Sequence, residues 1–189
     1  LSQTAFDCSH VGANVVVLTA TDVNGNSANM EATVTVEDQV APIALCQDVY
    51  VVLSNGEAFV TPEMVDAGSN DACGIASRVL DVSSFSCSDV NNPVTVTLTV
   101  TDVNGNTSTC TTIVTVEDNV APIANCAAPF TVQLDANGMA SITVGDIDNG
   151  STDACGIAST TIDVTDFSCA DVGANTVTLT VTDVNGNTS

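Results

Sequence analysis

The side chains able to do chemistry are almost all carboxylates and thiols. The 189 residues hold 23 aspartates and glutamates, eight cysteines, one histidine (His10), and one cation, Arg78, with no lysine. The acids recur in sets. Glu37 and Asp38 match Glu117 and Asp118, Asp66 and Asp71 match Asp148 and Asp153, and Asp102 with Asn104 matches Asp183 with Asn185. Oxygen-only donors that are flexible in number suit Ca²⁺. This is no EF-hand: Gly105 falls at loop position four rather than six, and Ile113 stands where the bidentate Glu belongs. Carboxylate pairs can also cleave glycosides. Here the acids return in every copy, which fits a structural device, and without Trp there is no good platform for sugars. One histidine and no lysine leave almost no material for nucleophilic or phosphoryl chemistry, so the chain reads as a non-enzyme. His10 reads as a surface substitution, because its counterparts are Asp89 and Asp171.

The elements that position these groups follow from internal repetition. Thr-Asp-Val-Asn-Gly-Asn starts at 21, 101 and 182, Val-Glu-Asp-x-Val-Ala-Pro-Ile at 36 and 116, Asp-Ala-Cys-Gly-Ile-Ala-Ser at 71 and 153, and Phe-x-Cys at 6, 85 and 167. The period is near 80 residues. It divides the chain into 1–40 (the C-terminal half of a repeat), 41–120 (a complete repeat) and 121–189 (a repeat lacking its last strand). The expectation is a window on a longer repetitive polymer, joined through short semi-rigid linkers at Pro42 and Pro122.

Within a repeat, strands and turns alternate. Residues 94–101 read Val-Thr-Val-Thr-Leu-Thr-Val-Thr, the period of a half-buried strand. Asn104-Gly105 signals a hairpin leading into a strand over 109–116. A second hairpin is expected from 50–53 through Asn55-Gly56 to 58–65, with a middle strand at 78–82 and a short edge strand within 83–93. Apolar residues make up 44%, chiefly β-branched or small, which favours a strand-built core over disorder. The reading is all-β: tandem immunoglobulin-like antiparallel β-sandwich domains joined end to end.

A formal charge of −22 excludes nucleic-acid binding and attraction to anionic membranes, and no apolar run approaches the ~20 residues that span a bilayer. Eight cysteines in so acidic and lysine-free a chain point to disulfides and an oxidising, extracytoplasmic setting.

The stretches Leu-Thr-Val-Thr-Asp-Val-Asn-Gly-Asn, Val-Glu-Asp-x-Val-Ala-Pro and Asp-Ala-Cys-Gly resemble the hyalin-repeat (HYR)-like, immunoglobulin-like modules of large bacterial surface proteins, adhesins and fibres. The resemblance spans essentially the whole chain. It implies an extracellular, repetitive, non-enzymatic role and supplies no catalytic residues.

In such a sandwich two loops and the incoming linker share one end. That places Glu37, Asp38, Asp66, Asp71, Asp102 and Asn104 at one junction, and Glu117, Asp118, Asp148, Asp153, Asp183 and Asn185 at the next, as Ca²⁺ ligands. The plain alternative is a turn with a solubilising acidic surface. Cys73 and Cys87 lie 14 residues apart, as do Cys155 and Cys169, while Met30 stands where Cys110 has its counterpart. The expected bridges are Cys46–Cys110, Cys73–Cys87 and Cys155–Cys169, with Cys8 and Cys126 paired outside this stretch. Free thiols or a zinc site are disfavoured by the absence of close cysteine pairs. Asn106-Thr-Ser108 and Asn149-Gly-Ser151 are glycosylation sequons. The function expected is a calcium-stiffened, disulfide-bonded segment of a secreted or cell-surface filament or stalk, partnered by further copies of the repeat. The alternative is an adhesin whose modules bind a glycan or protein directly.

Overall fold

A computed structural model describes residues 1–189. In chain order the strands are β1 (Gly12–Thr21), β2 (Ser27–Val36), β3 (Val49–Val52), β4 (Glu57–Phe59), β5 (Ile75–Leu80), β6 (Ser84–Ser86), β7 (Val94–Asp102), β8 (Thr107–Glu117), β9 (Met139–Ser141), β10 (Ile157–Ile162), β11 (Asp166–Ser168) and β12 (Leu179–Asp183). One-turn helices α1 (Pro62–Val65) and α2 (Val144–Ile147) and three 3-10 turns complete the regular structure. The protein is mostly β, as the strand-forming composition requires. No helix is long and apolar enough to cross a membrane.

The chain falls into two compact units. One gathers residues 1–48, 61–82 and 95–112, and the other 49–60, 83–94 and 113–189. Each draws on more than one sequence repeat.

In the first unit β7 keeps the alternation read from its sequence. Val96, Leu98 and Val100 are fully buried, and Asp102 continues the same inward face at 1% exposure. β5 pairs antiparallel with β7, from Ile75 opposite Asp102 to Leu80 opposite Leu98. β7 turns into β8 through residues 103–106: Gly105 N–H donates to the Asp102 carbonyl and Asp102 N–H to that of Asn106. Gly105 supplies the positive φ of 94° that this loop needs. β1 and β2 form the equivalent hairpin, Gly12 opposite Val36 through Thr21 opposite Ser27. There only Val16 is buried, and Val15, Leu18 and Met30 are exposed.

In the second unit β3 runs parallel to the end of β8, from Val49 opposite Val114 to Val52 opposite Glu117. Val49, Val51, Leu53, Val60, Phe85, Val114 and Val116 are buried there. The turn at Asn55-Gly56 forms, with φ of 53° and 81°, and Ser54 and Glu57 exchange backbone hydrogen bonds. The hairpin goes no further, because β4 pairs with β6 instead. The strand expected over 58–65 stops at Phe59, since Pro62 lacks an N–H and its fixed φ suits the first helical position of α1. β9 with β11, and β10 with β12, make two further antiparallel pairs.

Candidate functional site

The hexapeptide Thr-Asp-Val-Asn-Gly-Asn builds a closed hydrogen-bonding device. Buried Asp102 accepts the N–H groups of Asn104 and Asn106 on Oδ1, both at 2.8 Å, and Asn106 Nδ2 on Oδ2 at 2.7 Å. Burial opposes its charge, but the side-chain and backbone bonds from Asn106, with those from Asn104 and Gly105, outweigh it and hold the carboxyl below its ordinary range. Asp102 therefore locks the loop. The asparagines reach outward to the linker: Asn104 Nδ2 donates to Asp38 Oδ2 at 2.7 Å, and Asn106 Nδ2 to the Asp38 carbonyl at 3.1 Å. Asp38 Oδ1 accepts the Val40 N–H at 3.0 Å, closing the linker's own turn.

The second unit repeats the device. Asp183, 1% exposed, accepts the N–H groups of Asn185 and Asn187 and Asn187 Nδ2, each at 2.8 Å. Asn185 Nδ2 meets Asp118 Oδ2 at 2.7 Å, and Asn187 Nδ2 the Asp118 carbonyl at 3.0 Å. Asp22 shows the same internal geometry, with Asn24 and Asn26 donating at 2.9 Å.

The acids expected as ligands divide. Asp38 and Asp71 come together in the first unit, and Asp118 and Asp153 in the second, each with ligand atoms mutually within 4.8 Å and near Cys73 or Cys155. Both sulfurs are spent in disulfides, which leaves oxygen donors only. Asp71 Oδ1 takes the N–H groups of Cys73 and Gly74 (2.7 and 3.2 Å), and Asp153 those of Cys155 and Gly156 (2.7 and 3.0 Å). The others have local partners. Asp66 Oδ2 faces Arg78 Nε at 2.8 Å, off the axis of a hydrogen bond, and its Oδ1 takes the Ser69 N–H. Burial raises the Asp66 pKa, but Ser69 and Arg78 bring it below the usual range. Asp148 holds Ser151 through N–H and Oγ. Glu37 pairs with Gln39 and Glu117 with Asn119.

The disulfides correct two expected pairings. Cys46 joins Cys110 as expected. Cys73 joins Cys8, not Cys87, and Cys155 joins Cys87, not Cys169, over separations of 65 and 68 residues. Cys8 thus finds its partner inside the chain, and Cys126 and Cys169 are free and exposed. Cys8, Cys87 and Cys169 all open the 3-10 turn after Phe-x, and for Cys8 and Cys87 the Asp-Ala-Cys-Gly turn packed against it belongs to the following copy.

His10 fills a capping role. Its Nδ1 faces the Asp7 N–H at 3.1 Å, where Asp89 and Asp171 carboxylates accept the N–H of Ser86 and Ser168 at 2.8 Å. Sequence reasoning overlooked Asn106 and Asn187, although the last residue of the hexapeptide recurs in all three copies. The Asn106 amide is committed to Asp102 and Asp38, which leaves that sequon no free amide in the folded chain. No protein-family model matches the chain, and no curated protein is significantly similar to it.

Proposed function

We propose that this chain is a structural segment of a secreted or cell-surface filament, built from disulfide-bonded, immunoglobulin-like repeats of the HYR-like kind and stiffened by calcium at the linkers. The observation that carries this reading is the linker clamp. Asp38 and Asp118, 80 residues apart, are each gripped by the two asparagines of a hexapeptide loop, with matching distances. A device that fixes the same linker residue copy after copy serves the geometry of an array rather than a reaction. The bridges Cys8–Cys73 and Cys87–Cys155 support it, because each ties one copy to the next. Three disulfides also suit an extracellular setting.

The donor set at the linkers fits Ca²⁺: two carboxylates at each, all-oxygen, with lone pairs remaining on Asp38 Oδ1 and Oδ2 and on Asp71 Oδ2. Two carboxylates place the site in the weak extracellular range, about 10⁻⁴–10⁻³ M.

Adding calcium to a chelated sample should raise the melting temperature by linkage and slow amide exchange across 36–42 and 116–122. Asp38→Asn with Asp118→Asn should abolish the response. Unchanged melting and exchange from zero to several millimolar Ca²⁺ would remove calcium from the reading. A native product that stays monomeric near 19.1 kDa would remove the filament.

A further inference from the structure

We propose that the face around Cys169 is a docking site for the Asp-Ala-Cys-Gly turn of a further copy of the repeat, closed by a disulfide from Cys169 to the cysteine of that turn. The inference rests on the repeat reading above and gives it a specific contact.

Cys169 is an exposed thiol with no sulfur partner, and its two internal copies show what such a cysteine does. Cys8 and Cys87 open the same 3-10 turn, after the same Phe-x, each with a capping box at its start, as Cys169 does. Both are bonded to an Asp-Ala-Cys-Gly cysteine, Cys73 and Cys155.

In the second unit the contact can be followed atom by atom. The Asn55-Gly56 turn lies beside Cys87, whose Sγ is 3.8 Å from the Gly56 carbonyl oxygen and 3.7 Å from that of Ala154. A Cβ placed on Gly56 would stand in van der Waals contact with both partners, 3.4 Å from Cys87 Sγ and 3.5 Å from the Ala154 Cβ and carbonyl oxygen, so the turn, the cysteine and Ala154 form one contact.

A related socket surrounds Cys169. Asn137-Gly138 takes the place of Asn55-Gly56, in a turn one residue longer that is closed between Asp135 and Met139; Gly138 keeps a positive φ (76° against 81°), and Cys169 Sγ again lies 3.8 Å from the glycine carbonyl. A Cβ at Gly138 would come within 2.6 Å of that sulfur, so here the turn approaches the cysteine even more closely. Cys126 serves as an internal contrast. It is equally free, but its copy Cys46 is bonded to Cys110 of β8, so its partner chemistry is a strand and not this turn.

Bond formation removes two protons and two electrons from the two thiols. A small-molecule disulfide such as oxidised glutathione takes them up, becoming two thiols by exchange through a mixed disulfide.

The test extends the full chain by a second copy of residues 109–160 placed after Ser189, equilibrated in a glutathione redox buffer and mapped by non-reducing peptide analysis. Cys169 should be joined to the added copy of Cys155, and Cys126 to the added copy of Cys110. With Cys155→Ser in the added copy alone, Cys169 should titrate as a free thiol while Cys126 stays bonded. Retention of the three original bridges in the same map reports folding. Cys169 left free, or joined to Cys126 or to the copy of Cys110, overturns the assignment. Electron microscopy of the same material keeps the two readings apart. Cys169 free in filaments overturns the docking site and spares the filament, and Cys169 bonded in a persistent monomer does the reverse.

Discussion

Replacing Cys87 and Cys155 by serine, singly and together, tests the copy-to-copy bridge against a within-copy one. The bridge closes a loop of 68 residues. Cys46–Cys110 already constrains the stretch from Cys87 to Cys110, which shortens the effective loop to about 60 residues. The chain-entropy estimate for such a loop is about 4 kcal/mol at 25 °C. Each single variant should lose about that much, and the double variant no more, because the second serine removes a bond already gone. Cys73→Ser combined with Cys87→Ser should instead break two separate bridges and cost about 8 kcal/mol, most or all of the stability of an ordinary domain. A bridge between Cys73 and Cys87 would close only 14 residues, giving about 3 kcal/mol for either single variant and for their double. Urea unfolding under non-reducing conditions, followed by circular dichroism, measures all five proteins. If Cys73→Ser/Cys87→Ser matches its single variants while Cys87→Ser/Cys155→Ser is additive, the bridge runs within the copy and the reasoning fails.

Asn106→Ala removes the donor shared by Asp102 and the Asp38 carbonyl and should cost about 2 kcal/mol in urea, with faster amide exchange at Val40; Asn104→Ala, which loses only the Asp38 contact, should cost less. Asp66, Asp81, Asp102 and Asp183 lie below the ordinary carboxylate range when folded, so the unfolded chain binds protons more readily. Their contribution is complete above the unfolded pKa near 4 and is lost as pH falls through the lower folded values. With relief of the −22 charge acting the other way, the urea midpoint should peak near about pH 5 and fall below it, less steeply in Asp102→Asn; a midpoint rising down to pH 2 would contradict this. Arg78→Met deletes the ion contact to Asp66 and the bond to the Ser69 carbonyl, and should cost about 1 kcal/mol, with a smaller salt dependence than the native chain.

Much of the fold can be read from one copy of the repeat, because the information is local. The Val-Thr alternation of 94–101 is enough to orient β7, and Asn-Gly places two of the turns. Pro62 carried the signal for α1, but the apolar residues around it matched a strand equally well. The cysteine partners could not be read in this way. In a periodic chain, the cysteine of one copy sees an identical Asp-Ala-Cys-Gly sequence 14 residues behind it and nearly a full period ahead, and only three-dimensional packing separates the two. The acidic junction was legible in part. Asp-x-Asn and Asp-x-Cys-Gly are sequences in which a carboxylate accepts the N–H two residues on, so Asp102 and Asp71 spend oxygens on their own loops, while the grip of Asn104 and Asn106 on Asp38 spans 66 and 68 residues and leaves no local trace.

The copy-to-copy bridges also decide how far the chain can be drawn out under tension, even after every strand has been pulled apart. A force applied at Leu1 and Ser189 follows the shortest covalent route. That route runs seven residues to Cys8, crosses to Cys73, runs fourteen residues to Cys87, crosses to Cys155, and runs thirty-four more to the end. Fifty-five residue steps then bear the load, reaching about 190 Å when taut, against about 640 Å for the reduced chain. The remaining residues hang as slack side loops. With the cysteines paired this way, only fourteen residues of an interior period of about eighty lie on the stretched path, so the oxidised chain is far less extensible than the reduced one and its compliance under load is set by its redox state.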